Sequence, residues 1–262
     1  MAGLKNITIA GGYKSLIRLS DNNGVSGSIV RVTDGDGNNT CLKMSDDTLQ
    51  VYPSDGDGNV FEIFSKDNEN LLRANSTNDY VTVLGNYVNT QYAYFGVNYA
   101  DFSNLADDTH YPIPFSSGRG GASATNDVDF GTGTDPDTTF TTANTDTQYA
   151  SQIVPMMWFV PDNIYIDSVT SIEGAGSASG DTTRCHLYSM TFNTGSTSCL
   201  TAGTLLAHNS DVTNAGNEQA YKSTWTVDSN SVSGGKVILA FFRKDTENSH
   251  YSLNITVKYH LV

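Results

Sequence analysis

The sequence predicts an all-β protein, and three observations carry that prediction. Apolar residues recur at every second position, most strictly where Tyr251, Leu253, Ile255, Val257, Tyr259 and Leu261 alternate with Ser252, Asn254, Thr256, Lys258 and His260. No window shows a 3.6-residue apolar period, and the best helical candidate, Ala100 to Ala106, is too short for more than a turn or so. The composition starves helices: 14 Tyr, 11 Phe and 24 Gly sit in a chain with only 16% charged residues, against roughly 25% in an average soluble domain.

The first region, residues 1–111, reads as a train of short strands and polar turns. Leu16 to Leu19, Ile29 to Val32, Leu49 to Tyr52, Val60 to Phe64 and Tyr80 to Leu84 are the strands. Two Asp-Gly-Asp-Gly-Asn turns begin at Asp34 and Asp55, 21 residues apart, which marks a degenerate repeat of hairpin size. Several of these strands are apolar on both faces, with Phe61 and Ile63 pointing one way and Val60 and Phe64 the other. A thin run of hairpins cannot cover so much apolar surface by itself. Packing copies about an axis would cover it, so the region is expected to trimerise and attach.

From 112 to 150 the apolar pattern fades into Pro112-Ile113-Pro114, Gly118-Arg119-Gly120-Gly121 and a Thr- and Asp-rich stretch, read as a linker or extended loop. Residues 151–262 then read as an antiparallel jelly roll or β-sandwich. Ile153 to Val160 is predicted as a bulky apolar strand, Ile164 and Ile166 share a face, and Cys185 to Phe192 forms another strand. Tyr221, Ser223, Trp225 and Val227 alternate with polar residues. Val237 to Phe242 is apolar throughout, as a central strand covered on both faces should be.

Charge and cysteine content narrow the function classes. The formal net charge is −14, so nucleic acid and anionic lipid surfaces are repelled and neither is expected as a partner. Cys41, Cys185 and Cys199 form no disulfide framework, and the latter two are expected as buried thiols. The opening residues lack the apolar segment of a signal peptide, and Ile153 to Val160 is too short to span a bilayer. Membrane insertion is therefore not expected, and assembly is expected in a cytoplasm.

No catalytic, cofactor-binding or metal-binding residues are singled out. The Asp34 and Asp55 turns open like calcium loops, but loop position 12 holds Ser45 and Lys66 in place of the bidentate Glu, so hairpin corners are expected. His186, His208, His250 and His260 fall in different elements without metal-ligand spacing. Gly176-Ser177-Ala178-Ser179-Gly180 has Ala178 where a nucleophile elbow needs serine, and it lacks the strand-to-helix setting. Paired carboxylates for glycoside cleavage are spatial rather than sequential, and nothing selects a pair among 28 acids.

The units Phe61-Glu62-Ile63-Phe64, Asn70-Leu71-Leu72-Arg73 and Tyr80-Val81-Thr82-Val83 resemble the short repeats of fibre and appendage proteins of marine tailed bacteriophages. Tyr221 to Asp228, Ser233 to Phe241 and Ile255 to His260 look like the C-terminal knob of that family, similar to trimeric tumour-necrosis-factor or C1q-type jelly rolls. The resemblance implies a non-enzymatic virion structural protein: a homotrimeric fibre, spike or capsid-decoration appendage. Its implied partners are other virion proteins, capsid or tail, and host-surface glycan or protein met through loops such as Asn193-Thr194-Gly195 and Asn209-Ser210-Asp211. Fibres of the family begin with a tail-docking domain, whereas strand repeats start here at Leu4. Docking onto another fibre subunit or seating on the capsid is the expectation that follows. The alternative from a different class is a carbohydrate-active tailspike, a polysaccharide depolymerase.

Overall fold

The computed structural model describes residues 17–21, 24–53, 58–101, 105–115, 128–140, 152–176, 179–216, 218–245 and 250–262. The protein is all-β, as the alternating pattern requires, and divides into two units, Met1–Val88 and Asn89–Val262.

The first unit contains two four-stranded antiparallel meanders. One is β1 (Arg18–Leu19), β2 (Val30–Thr33), β3 (Asn39–Met44) and β4 (Leu49–Val51); the other is β5 (Asn59–Phe64), β6 (Asn70–Asn75), β7 (Tyr80–Val83) and β8 (Asn86–Tyr87). Each strand pairs with its neighbour in sequence, so only local turn chemistry is needed to form them. The Asp34 turn joins β2 to β3. Asp34 accepts from the Asp36 and Asn38 amides through Oδ1, and from the Asn38 side chain through Oδ2 at 2.8 Å. Its Asn38 partner, helped by the loop amides, holds the Asp34 carboxyl below the usual carboxylate range. Both oxygens thus serve a five-residue hairpin corner, with Gly37 at φ +87°. Of the second turn, residues 54–57 lie outside the described residues.

The second unit is a two-sheet sandwich. Its long strands are β9 (Thr90–Asp101), β10 (Tyr111–Ile113), β12 (Ile164–Ala175), β13 (Thr182–Phe192), β14 (Leu200–His208), β16 (Gln219–Thr224), β19 (Lys236–Lys244) and β20 (His250–Leu261). Short strands β11 (Trp158–Phe159), β15 (Val212–Thr213), β17 (Thr226–Val227) and β18 (Ser231–Val232) complete it. The pairs β9·β20, β10·β19, β12·β16 and β13·β14 nest inside one another along the chain, all antiparallel. They join into one sheet ordered β16-β12-β20-β9 and another ordered β10-β19-β13-β14-β17. That nesting is the winding of a jelly roll.

Two cores flank the seven-stranded sheet. Between the sheets lie Phe95, Val97, Ile166, Val169, Leu187, Ala240, Phe242, Leu253 and Ile255. On its outer face Tyr188, Met190, Leu239 and Phe241 meet Val128, Phe130, Phe140, Ile153 and Met156. The unbroken apolar run of β19 follows: alternate residues serve opposite cores.

Five sequence expectations change here. The boundary falls between Val88 and Asn89 rather than after 111, because β9 pairs with β20 and β10 with β19. The described part of the 112–150 segment is not an extended linker. Residues 128–140 form a cover over the outer face, tied by Phe140 N–H to Leu200 O and Gly203 N–H to Thr138 O at 2.7 Å. Residues 116–127 and 141–150 lie outside the described residues. The Ile153 to Val160 run is a 3-10 turn, Val154–Met156, followed by the two-residue β11, since Pro155 lacks an amide for the ladder. Of the short helix expected at 100–106, residues 100–101 end β9, 105–106 are irregular, and 102–104 lie outside the described residues. Likewise Tyr221 to Val227 is not one strand. Buried Trp225 turns the corner between β16 in one sheet and β17 in the other, donating through Nε1 to Ser171 Oγ at 2.9 Å.

Candidate assembly surface

The β5–β8 meander has two unlike faces, which the two-residue period of its strands creates. On one face the register aligns Phe61, Ala74 and Val81 in a row across three strands, and Ile63, Leu72 and Val83 in the next. On the other, Glu62, Arg73, Thr82 and Tyr87 are aligned. Glu62 Oε1 accepts from Arg73 Nε at 2.9 Å and from Asn59 and Asn70 side-chain amides at 3.0 Å. The polar face is therefore internally satisfied. The apolar face is not covered: Phe61 is 42% exposed, Ile63 46%, Val81 40% and Val83 42%.

The β1–β4 meander repeats the arrangement. Val30, Met44 and Leu49 align on one face, with Leu42 opposite Val51. Arg31, Lys43 and Gln50 align on the other, where Lys43 Nζ stands 3.6 Å from the Tyr52 ring centroid. In each sheet, then, one face carries a charged row and the other uncharged apolar rows.

Val32 is the only buried hydrophobic side chain among the described residues of this unit, whereas both hydrophobic cores draw all their members from Ala93 onward. The described residues of this unit therefore bury little of the apolar surface that offsets chain entropy. Completing the burial of Phe61, Ile63, Val81 and Val83 would contribute on the order of 1 kcal/mol each.

Elsewhere the structure gathers polar groups that are scattered in sequence. Glu173, on the inner face of β12, accepts from Ser171 Oγ, Asn209 Nδ2 and Thr183 Oγ1 at 2.9–3.1 Å, and so links the two sheets. Burial pushes its carboxyl above the ordinary value. Asn209, expected in an exposed recognition loop, is buried, and its Oδ1 accepts from the Cys185 amide at 2.7 Å. Cys185 and Cys199 are both buried free thiols, in different cores on opposite sides of the sheet, and Cys41 is exposed.

Four of the five histidines fall in two places, and His250 opens β20 apart from them. His260 is on the outer face of β20, as its parity requires, but is buried, with Nδ1 2.9 Å from Asp167 Oδ1. His186 and His208 are cross-strand partners, and His110 stacks edge-on against His186 with ring centroids 4.9 Å apart. His110 carried no signal in the sequence, because its neighbours at 109 and 111 are no ligands and its partners lie far along the chain. Among the described residues no three His, Cys, Asp or Glu side chains converge on a metal position. Ser177 and Ala178 lie outside the described residues; flanking Gly176 donates its amide to His250 O at 2.7 Å in the turn after β12.

In comparisons with known proteins, no family model, no curated protein and no solved structure matches this chain.

Proposed function

We propose that the chain is a non-enzymatic virion structural protein, a homotrimeric appendage of fibre, spike or capsid-decoration type, built from an assembly unit and a jelly-roll head. The observation that carries the reading is the first unit, where Val32 alone is a buried hydrophobic side chain among the described residues, with its uncharged rows Phe61–Ala74–Val81 and Ile63–Leu72–Val83. A sheet that is polar and satisfied on one side and bare on the other is half of an interface. The jelly-roll connectivity of the second unit supports the same reading, being what the resemblance of its C-terminal strands implies. Assembly onto capsid or tail subunits and contact with host-surface glycan or protein belong to this proposal.

Mass photometry tests it. The full chain is expected as a species of three 28.2-kDa copies, and Ile63→Glu combined with Val83→Glu as a monomer whose second unit still melts cooperatively. A monomeric wild-type chain sinks the trimer. New reducing ends released from host glycan would make it a depolymerising spike instead, and density mapped on the virion by cryo-EM assigns head or tail.

A further inference from the structure

A line of three imidazoles crosses the outer face of the seven-stranded sheet beneath its cover. His186 sits between His110 and His208, with centroid distances of 4.9 and 6.3 Å. His110 and His186 are fully buried. His110 donates through Nε2 to Gly133 O in the cover at 3.2 Å, which leaves its Nδ1 bare. Neither ring nitrogen of His186 makes a well-formed hydrogen bond, although Asp135 Oδ1, also in the cover, lies 3.3 Å from Nε2. An imidazole flanked in the ladder by Phe241, with neither nitrogen well paired, carries an uncompensated desolvation cost.

The surrounding charges oppose protonation in the closed state. From β13 comes Arg184, held by Asp211, and from β19 Arg243, held by Asp108 and reaching Gly133 O at 3.1 Å. Asp228 engages His208 Nδ1 at 2.8 Å, and Tyr188 follows His186 on the same face. Among the described residues, Asp135 alone faces His186 with negative charge at close range, and it is half exposed. Desolvation first, then repulsion with His110, Arg184, His208 and Arg243, lowers His186 to about 3. Desolvation, with Arg243 adding to it, lowers His110 to about 4 against the ordinary 6.5.

We propose that His110 and His186, backed by His208, form an acid-sensitive latch: with His110 and His186 neutral, residues 128–140 are held against the sheet, and proton uptake by these two rings releases that cover while the sandwich persists. The cover is the element to move. It contributes Val128, Phe130 and Phe140 to the outer core but adds few ladder bonds, whereas the inter-sheet core does not include it. The sign follows from linkage. Both groups bind protons less tightly closed than open, so their contribution is complete above pH 6.5 and is lost as pH falls toward about 4.

Hydrogen exchange of the full chain between pH 7.5 and 4.5, corrected for intrinsic exchange chemistry, tests the latch. Peptides spanning 128–140 are expected to show an opening constant that rises by up to about a hundredfold per pH unit below pH 6, two protons' worth. Peptides from β12 and β20 are expected to stay protected over the same range. His186→Phe should cut the slope to about tenfold per unit. His110→Gln, which keeps an amide donor for Gly133 O, should do the same and serves if the first variant misfolds. A wild-type slope below tenfold, an unchanged slope in either variant, or simultaneous opening of β12 and β20 overturns the proposal.

Discussion

Glu173 shows how a single side chain can join the two sheets. Its carboxyl accepts three hydrogen bonds from Ser171, Thr183 and Asn209, and Asn209 in turn holds the backbone of β13 at Cys185. Removing it strands three buried donors, so Glu173→Ala is expected to cost about 3 kcal/mol in urea denaturation. Glu173→Gln keeps much of the network and removes the buried charge. The carboxyl is raised in the folded state, so its contribution is complete below the unfolded value of about 4.5 and declines as pH rises through the folded value. Glu173→Gln is therefore expected to lose stability relative to wild type near pH 4 and to recover it at neutral pH. Midpoints measured at both pH values check the sign, and an unchanged difference would refute it. Nothing near Glu173 in sequence reveals this role, since two of its partners, Thr183 and Asn209, come from other elements.

At the scale of elements, the cover over residues 128–140 depends on one close approach. Gly203 in β14 donates its amide to Thr138 O, and a Cβ there would stand 2.9 Å from Thr138 Cα and 3.1 Å from Met190 Cε. Gly203→Ala is expected to destabilise the unit by about 1–3 kcal/mol, with 128–140 losing exchange protection before β12 or β20. Equal protection in variant and wild type would count against that tight fit. The strands themselves were readable because their period is local. β20 shows its alternation directly, and the continuous run in β19 announces a second covering layer. The identity of that layer was not readable. Val128, Phe130 and Phe140 are too sparse to signal an element, and their meaning comes from the flat apolar face of Tyr188, Leu239 and Phe241 that they meet.

The whole molecule joins a unit with two hydrophobic cores to one whose described residues bury little apolar surface. By sequence the first unit carries 7 basic and 11 acidic residues, and the second 7 and 17. Like-charge repulsion therefore opposes self-association less at the first, where the uncharged apolar rows also lie. Expressed separately, 89–262 is expected to melt as one cooperative unit at any concentration. The 1–88 fragment is expected to gain near-ultraviolet dichroism only with increasing concentration, as association completes its burial. A concentration-independent, cooperatively folded 1–88 monomer would contradict this.

The sequence by itself determined the all-β class, the repeat-built first part, the sandwich strands and the doubly covered β19, because alternation and turn residues act between near neighbours. Tertiary structure alone decided the boundary at Val88, the docking of 128–140 as a cover, the Glu173 bridge and the meeting of His110, His186 and His208. Each of those arises from strands paired across long stretches of chain, and a nested winding brings such residues together by register rather than by spacing.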